Sequence, residues 1–355
     1  MNSCTRRQIL ARRMPALVAA ASLWSACHQP DANLVDRLVI AEVDTLVSLE
    51  SGTLASPADV AVDQAGNAYV LDWQLPGVVV LPVTGDDPVS FGHEGAGPGE
   101  FSRPSVLAAG GDSIRVLDSG NGRVQVLTTD GTYVRTYPMP ADYIGGADLH
   151  PNGRLAVPTQ GFRRDALALT FQPDGQPGPT FGTLLVPGHE IWDMAAIRNQ
   201  IMDGEVPRQL RNWTLPTLDA DGSLWLILNA EAVVQHYDAL GNIRWSLQLD
   251  PPEMTLIKER FFARNRELQA PGFVPLIYVA DAARVNDEIW LLLNLPDEHP
   301  SVVLAIGDDG TLRRRLDFPN VFGAADLAVD PHRGTVYLTV PSEASLLAAH
   351  LPTDY

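Results

Sequence analysis

Two cysteines and eight histidines carry the chemistry easiest to recognise in this chain, and their spacing assigns them none. The histidines are His28, His93, His150, His189, His236, His299, His332 and His350. No two stand at the i, i+4 or His-x-His separation that presents paired imidazoles to a metal. Cys4 and Cys27 both fall within the first 27 residues, and loss of Cys4 with a signal segment together with acylation of Cys27 would leave no thiol for catalysis, zinc ligation or an internal disulfide. Lys258 is the single lysine and the lone Schiff-base candidate. No Gly-x-Ser-x-Gly elbow, phosphate loop or dinucleotide fingerprint occurs. Asp219-Ala220-Asp221-Gly222 opens like a calcium loop, but it lacks the further acids and closing glutamate of an EF-hand and reads as a hairpin turn. The sequence thus implies no metal site and no cofactor, and it leaves the catalytic residues unknown.

What remains is polar and aromatic. Arg103, Asp142, Tyr143, Trp192, Asp193, Arg211, Trp213, Arg260 and Arg264 fall in connecting segments. Flat apolar area beside fixed positive charge suits a protein, peptide, carbohydrate or small anionic ligand. Arg103, Tyr143, Trp192, Arg211, Trp213, Arg260 and Arg264 are the ligand-binding candidates, set against the simpler reading that such aromatic residues belong to the core. The pairs His93-Glu94 and His189-Glu190 read as solvated loop residues.

Composition limits the partners. Of 355 residues, 45% are hydrophobic and 19% charged, enough apolar material for a folded core. The net charge of −18 repels nucleic acid, and no basic run offsets it. Basic residues concentrate at the extreme N-terminus, where Arg6, Arg7, Arg12 and Arg13 precede the apolar run from Ala16 to Trp24. That run is too short to span a bilayer and suits a signal peptide. Thr5-Arg6-Arg7-Gln8-Ile9-Leu10 resembles a twin-arginine signal, with an ordinary secretory signal as the alternative. Leu23-Trp24-Ser25-Ala26-Cys27 resembles a bacterial lipobox, with Trp24 where leucine is usual. The implied order is a signal peptide over 1–27, a polar tether over 28–36 and a folded body over 37–352, exported to the cell envelope and attached to the membrane by lipid on Cys27 or free in the periplasm.

The body is a repeat. A short apolar alternation, a turn and a second apolar run recur, as in Asp59-Val60-Ala61-Val62-Asp63-Gln64-Ala65-Gly66-Asn67-Ala68-Tyr69-Val70-Leu71-Asp72. First turns fall at Gly66, Gly110-Gly111-Asp112, Asn152-Gly153, Asp221-Gly222, Asn286-Asp287 and His332-Arg333-Gly334. Second turns follow the first five at near-constant offset, at Thr84-Gly85, Asp130-Gly131, Asp174-Gly175, Gly241-Asn242 and Asp309-Gly310. Hairpin turns need positive backbone angles, which Gly, Asn and Asp adopt. Six four-stranded units predict an all-β chain, a six-bladed β-propeller; two stacked β-sandwiches would not keep one turn spacing throughout. The last unit has three strands, and Leu38 to Leu46 alternates as a strand that could complete it.

Phe91-Gly92-His93-Glu94-Gly95-Ala96-Gly97-Pro98-Gly99-Glu100-Phe101-Ser102-Arg103-Pro104 resembles the linker of NHL-type propeller repeats, and Asp63-x-x-Gly66-Asn67-x-Tyr69-Val70-x-Asp72 matches the rest of that repeat. The resemblance implies architecture. It brings no catalytic motif, because propellers of this kind include protein-binding modules, sugar-binding modules, lyases and lactonases.

Two insertions break the spacing, before Gly222 and before Asp287. Ile191, Met194, Ile197 and Ile201, closed by Gly204, predict one helix; Asp250-Pro251-Pro252-Glu253 followed by Met254, Ile257, Phe261 and Leu268 predicts a second of about 17 residues. Both connect an outer strand to the next inner strand, beside the channel mouth, as walls of a pocket or as plain covers. The expectation is a membrane-anchored ligand- or protein-binding propeller; the alternative is a propeller hydrolase or lyase using a divalent ion in the channel. If the lipobox-like end is used, mass spectrometry of the mature N-terminus will find an acylated Cys27, whereas a soluble form starting elsewhere would exclude the anchor.

Overall fold

The structure, a computed structural model, describes residues 35–139, 145–160, 165–187, 193–268 and 272–352. The signal-like segment expected over 1–27, Cys27 included, lies outside the described residues. Six sheets stand in a ring, each beginning with the strand nearest the axis. Blade 1 comprises Pro57–Val62, Ala68–Asp72, Gly77–Leu81 and Val89–Phe91; blade 2 comprises Pro104–Gly110, Ser113–Asp118, Arg123–Thr128 and Tyr133–Pro138. Blade 3 holds Asp148–Leu149, Leu155–Pro158, Ala166–Phe171 and Pro177–Thr183, and blade 4 holds Thr214–Leu218, Leu224–Leu228, Val233–Tyr237 and Ile243–Gln248. Blade 5 runs through Val279–Val285, Glu288–Leu293, Pro300–Gly307 and Leu312–Phe322, and blade 6 through Asp326–Asp330, Thr335–Val340 and Ser345–His350.

The patterning follows from this stacking. A second strand is covered by neighbouring blades on both faces, so Leu224–Leu228 and Thr335–Val340 are buried at every position, the former as a continuous apolar run. An outer strand meets solvent, and Tyr133–Pro138 buries only Tyr137. Six apolar clusters fill the six interfaces between adjacent blades. The turns fall where the repeat placed them; Gly153 and Gly222, both at φ 91°, occupy the left-handed positions that close the first hairpins of blades 3 and 4.

Antiparallel topology gives the ring two distinct faces. First and third turns of every blade lie on one, the turn face. The middle loops and the connections between blades lie on the other, the linker face.

The N-terminal segment departs from expectation. Only Val43–Val47 fills the fourth position of blade 6, antiparallel to Ser345–His350. Asp36–Val39 instead adds a fifth strand to blade 5, parallel to Leu312–Phe322. Ile40, between the two, is buried among residues of blades 5 and 6, and Arg37 Nε meets Asp317 Oδ2 at 2.6 Å. One segment thereby spans the seam between the two blades.

Both insertions are helical. Helix α1, Met194–Met202, is capped by the Asp193 carboxylate, which accepts the Ala195 and Ala196 amides at 3.0 Å. Helix α2, Glu253–Glu267, starts later than Asp250 would place it and has no side-chain cap. Pro252 supplies no N–H at a position an Asp250 cap would need to bond. Ile197 and Ile201 of α1 join Met254, Ile257, Phe261 and Phe262 of α2 in the core between blades 4 and 5.

Closure by Val43–Val47 is testable against the accessory strand. Val47 is 4% exposed and Val39 is 61% exposed. Val47→Asp buries an unpaired charge and should cost about 3 kcal/mol in urea unfolding, while Val39→Asp should stay within about 0.5 kcal/mol. Equal effects would contradict this division of roles.

Candidate functional site

Two cavities follow from this geometry, one at the rim of the linker face and one along the axis. The rim basin lies over blades 1 and 2. Two buried aspartates at the ends of second strands hold the segments that line it. Asp72 accepts four backbone amides, from Ala55 at 2.6 Å, Ser56 at 2.9 Å, Gln74 at 2.9 Å and Leu75 at 2.8 Å. It fixes both the approach to the inner strand and the middle loop that carries Trp73. Asp118 accepts the Ser102 amide at 2.7 Å, Asn121 Nδ2 at 2.9 Å, Arg123 Nε at 2.8 Å and Gln125 Nε2 at 3.2 Å. That set fastens the chain immediately before Arg103.

Arg103 and Trp73 face the resulting basin of about 730 Å³, together with Ser105, Asn121, Met139 and Gly145. Trp73 is 57% exposed, unusual for so large an apolar surface. Arg103 is exposed, and its backbone is left-handed at φ 48° directly before Pro104, a conformation that disfavours a side-chain-bearing residue. Its guanidinium makes no hydrogen bond or ion pair among the described residues. The Gly120 amide donates to Ser102 O at 2.7 Å, and a Cβ on Gly120 would stand 2.5 Å from that oxygen, so the loop must carry glycine to close on the linker.

The axial channel, about 440 Å³, is lined by the six inner strands. Asp59, Asp148, Asp281 and Asp326 bring carboxyls to it from four blades. Asp59 Oδ2 accepts the Leu107 amide of blade 2 at 2.5 Å, Asp148 Oδ2 the Leu218 amide of blade 4 at 2.6 Å, and Asp281 Oδ2 the Leu327 amide of blade 6 at 3.0 Å. Asp326 neighbours Asp281 and Asp59, and its Oδ1 is shielded with no hydrogen-bond partner. Burial raises all four above the ordinary carboxylate range, and the Asp281 carboxyl adds to the shift at Asp59, Asp148 and Asp326. Asp148 is pushed up to about 7, its bond from Leu218 offsetting part of the effect.

The sequence-predicted residues divide between the basin and the insertions. Arg103 is in the basin. Tyr143 and Trp192 lie outside the described residues, as do Asp142 and the His189-Glu190 pair; Met139 and Gly145, on either side of Tyr143 in sequence, line the basin. Over blades 4 and 5, Arg211 Nε pairs with Glu231 Oε1 at 2.5 Å. Arg260 donates to Leu295 O and Asn294 O, each at 2.6 Å, and Arg264 stands 3.7 Å from Asp297. Trp213 packs against the core and Phe273, ring centres 6.2 Å apart. Each described arginine of this group thus has a partner within the chain. His93 is exposed and reaches Glu100 at 3.5 Å. Trp73 and the channel aspartates escaped the sequence reading. Their signal was legible in part: Ala-Asp followed by an apolar residue recurs at 58–60, 147–149, 280–282 and 325–327, once per inner strand in four blades.

Among the described residues, no group of three or more His, Cys, Asp or Glu is arranged to hold a metal ion, and no helix is long and apolar enough to cross a membrane. No protein-family model matches the chain and no curated protein matches it in sequence. Solved structures share its fold. A virginiamycin B lyase from Staphylococcus aureus superposes with TM-score 0.52 at 11% identity, over 88% of this chain and 99% of that one. A gluconolactonase from Xanthomonas campestris gives 0.51 at 12% identity, over 88% and 90%. The calcium-binding protein regucalcin from Agrobacterium tumefaciens gives 0.52 at 10%, over 89% and 95%. The six-bladed propeller expected from the NHL-like linker is the fold the chain adopts.

The channel carboxyls predict a pH dependence. Native Asp148 keeps its proton up to about pH 7, whereas the unfolded chain loses it near pH 4, so between these values the native state binds more protons and stability falls as pH rises. Asp148→Asn retains an oxygen for the Leu218 amide without the charge. Its melting temperature relative to the parent should rise by roughly 3 °C or more between pH 4.5 and pH 8; a constant difference would mean that Asp148 ionises normally.

Proposed function

We propose that the chain is an exported binding module, anchored through lipid on Cys27, that captures a ligand in the basin on its linker face. The ligand class is a small molecule or sugar with a flat apolar side and an anionic group. One observation carries this reading: Arg103, exposed and unpaired in a left-handed backbone conformation, stands in one basin with the exposed ring of Trp73. Strained residues with unspent polar groups cluster at sites where the surrounding structure holds them for use. A ring face accepts the apolar side of a sugar, and a guanidinium offers a planar fork for a carboxylate.

The signal-like N-terminus and the lipobox-like Leu23-Trp24-Ser25-Ala26-Cys27 support export and anchoring. The second reading, a hydrolase or lyase working through a divalent ion, draws on the four channel carboxyls and on Asp326, whose Oδ1 has no partner. It ranks lower because three of those carboxyls are engaged by backbone amides of the next blade.

Screening acidic and neutral oligosaccharides against the purified protein tests the assignment. Trp73→Ala and Arg103→Gly should each weaken a bound acidic ligand at least tenfold, and added salt should weaken it further in the parent and in Trp73→Ala but little in Arg103→Gly. Glycine suits φ 48°, so Arg103→Gly should leave the melting temperature unchanged or higher. Ligand binding untouched by both substitutions would remove the basin. Stabilisation by calcium that is lost in Asp326→Asn, together with a hydrolytic or lyase activity, would favour the second reading.

A further inference from the structure

On the opposite face, positive charge gathers where blades 2 and 3 meet. Arg115, on the second strand of blade 2, lies against the first turn of blade 3, where its Nε is 3.2 Å from the position a Cβ on Gly153 would take. Pro173 Cβ is 3.1 Å from that same point. Arg135 donates from Nη1 to Pro173 O at 3.2 Å, and its guanidinium carbon lies 5.3 Å from the centre of the Tyr137 ring. Tyr137 donates its hydroxyl to Gly153 O at 2.9 Å. Two guanidinium groups therefore converge on the Gly153–Pro173 corner. Arg154 follows Gly153 directly, and His150 closes the other side of the turn, its imidazole feeling the charge of both Arg154 and Arg115.

This charge is unspent. Arg115 Nε and Nη1 are shielded from solvent and have no acceptor. Arg115, Arg135 and Arg154 form no ion pair among the described residues, and Arg115 and Arg154 make no side-chain hydrogen bond there. Two acids of neighbouring turns accept hydrogen bonds within their own turns: Asp130 from Thr128 and the Thr132 amide, and Asp174 from the Gln176 amide. A half-buried guanidinium without counter-charge is costly, and in a chain of net charge −18 an arginine would ordinarily find a carboxylate.

We propose that this corner of the turn face is a binding site for a small oxyanion of the phosphate type, with Arg115 and Arg135 as its direct donors and Arg154 contributing positive potential. Arg115 Nη2 is the edge of its guanidinium left to meet the anion, and Tyr137, held by Gly153, fixes the wall between the two arginines. Paired guanidinium groups give oxyanions charge-assisted, directional bonds that a lone surface arginine does not. The site is independent of the basin, since it lies on the opposite face.

Inorganic phosphate is the probe. Calorimetric titration of the full chain, with ionic strength held constant by sodium chloride, should show saturable one-to-one binding and a phosphate-dependent rise in melting temperature. Arg135→Gln and Arg115→Met should each weaken it at least tenfold, while Trp73→Ala on the other face should not alter it. Should Arg115→Met fail to fold, Arg135→Gln alone decides. Phosphate acting no differently from chloride, or binding that survives Arg135→Gln, would overturn the proposal.

Discussion

The inner strand of every blade pairs on one side only, leaving a row of backbone N–H and C=O groups on an edge that faces the channel. Six such edges must be satisfied without a seventh strand to cover them. Part of the answer is a carboxyl from the neighbouring blade. Asp59, Asp148 and Asp281 reach across the channel side to the amides of Leu107, Leu218 and Leu327, joining blades 1 to 2, 3 to 4 and 5 to 6. They also concentrate acid on the axis: each accepted N–H favours the carboxylate, yet burial disfavours it more strongly, with the Asp281 carboxyl adding to the effect at Asp59 and Asp148. The ring is thus held by groups that gain from keeping a proton, and the gathering of carboxyls on the axis follows from how the blades are joined.

A related device fixes the linker face. Asp72 and Asp118 end the second strands of blades 1 and 2, and Asn229 does the same in blade 4, where its Oδ1 accepts the Tyr278 and Val279 amides at 3.0 and 2.9 Å. Each fastens the chain entering an inner strand. Four amide donors satisfy the buried Asp72 side chain, and the loop between its own bonds carries Trp73. Preordered loops lose little entropy on binding, so a modest contact area there can hold a ligand.

Much of this was legible in the sequence, and the losses have physical causes. The turns were readable because positive φ demands Gly, Asn or Asp at fixed places, and the repeat of those places fixed the blade count. Asp36–Val39 was misplaced because alternation announces a strand without naming its neighbour; Ile40, buried between blades 5 and 6, and Arg37, paired with Asp317, made that choice. The start of α2 was misread because Pro252 removes an amide that a cap at Asp250 would bond. Among the candidate residues, Arg103 stands in the glycine-rich linker of the sequence, and the structure sets it at the basin. Trp73 was missed because a residue after a strand-ending aspartate has no pattern of its own, and its exposure depends on the loop that Asp72 ties down. The unpaired state of Arg115 is a property of its neighbours and is invisible along the chain.

The two insertions and the two clusters of unspent charge lie in different parts of the ring, and the reason is energetic. Over blades 4 and 5 the helices turn Ile197, Ile201, Phe261 and Phe262 into the core, and the polar groups there are consumed in holding them: Arg260 caps two carbonyls and Arg211 is committed to Glu231. A guanidinium already bonded within the chain must give up those bonds before it can take a ligand, which subtracts from affinity. Blades 1 to 3 carry no such helices among the described residues. There Arg103 on one face and Arg115 on the other keep their donors, and ligand chemistry is best sought where the fold has left hydrogen-bonding capacity unused.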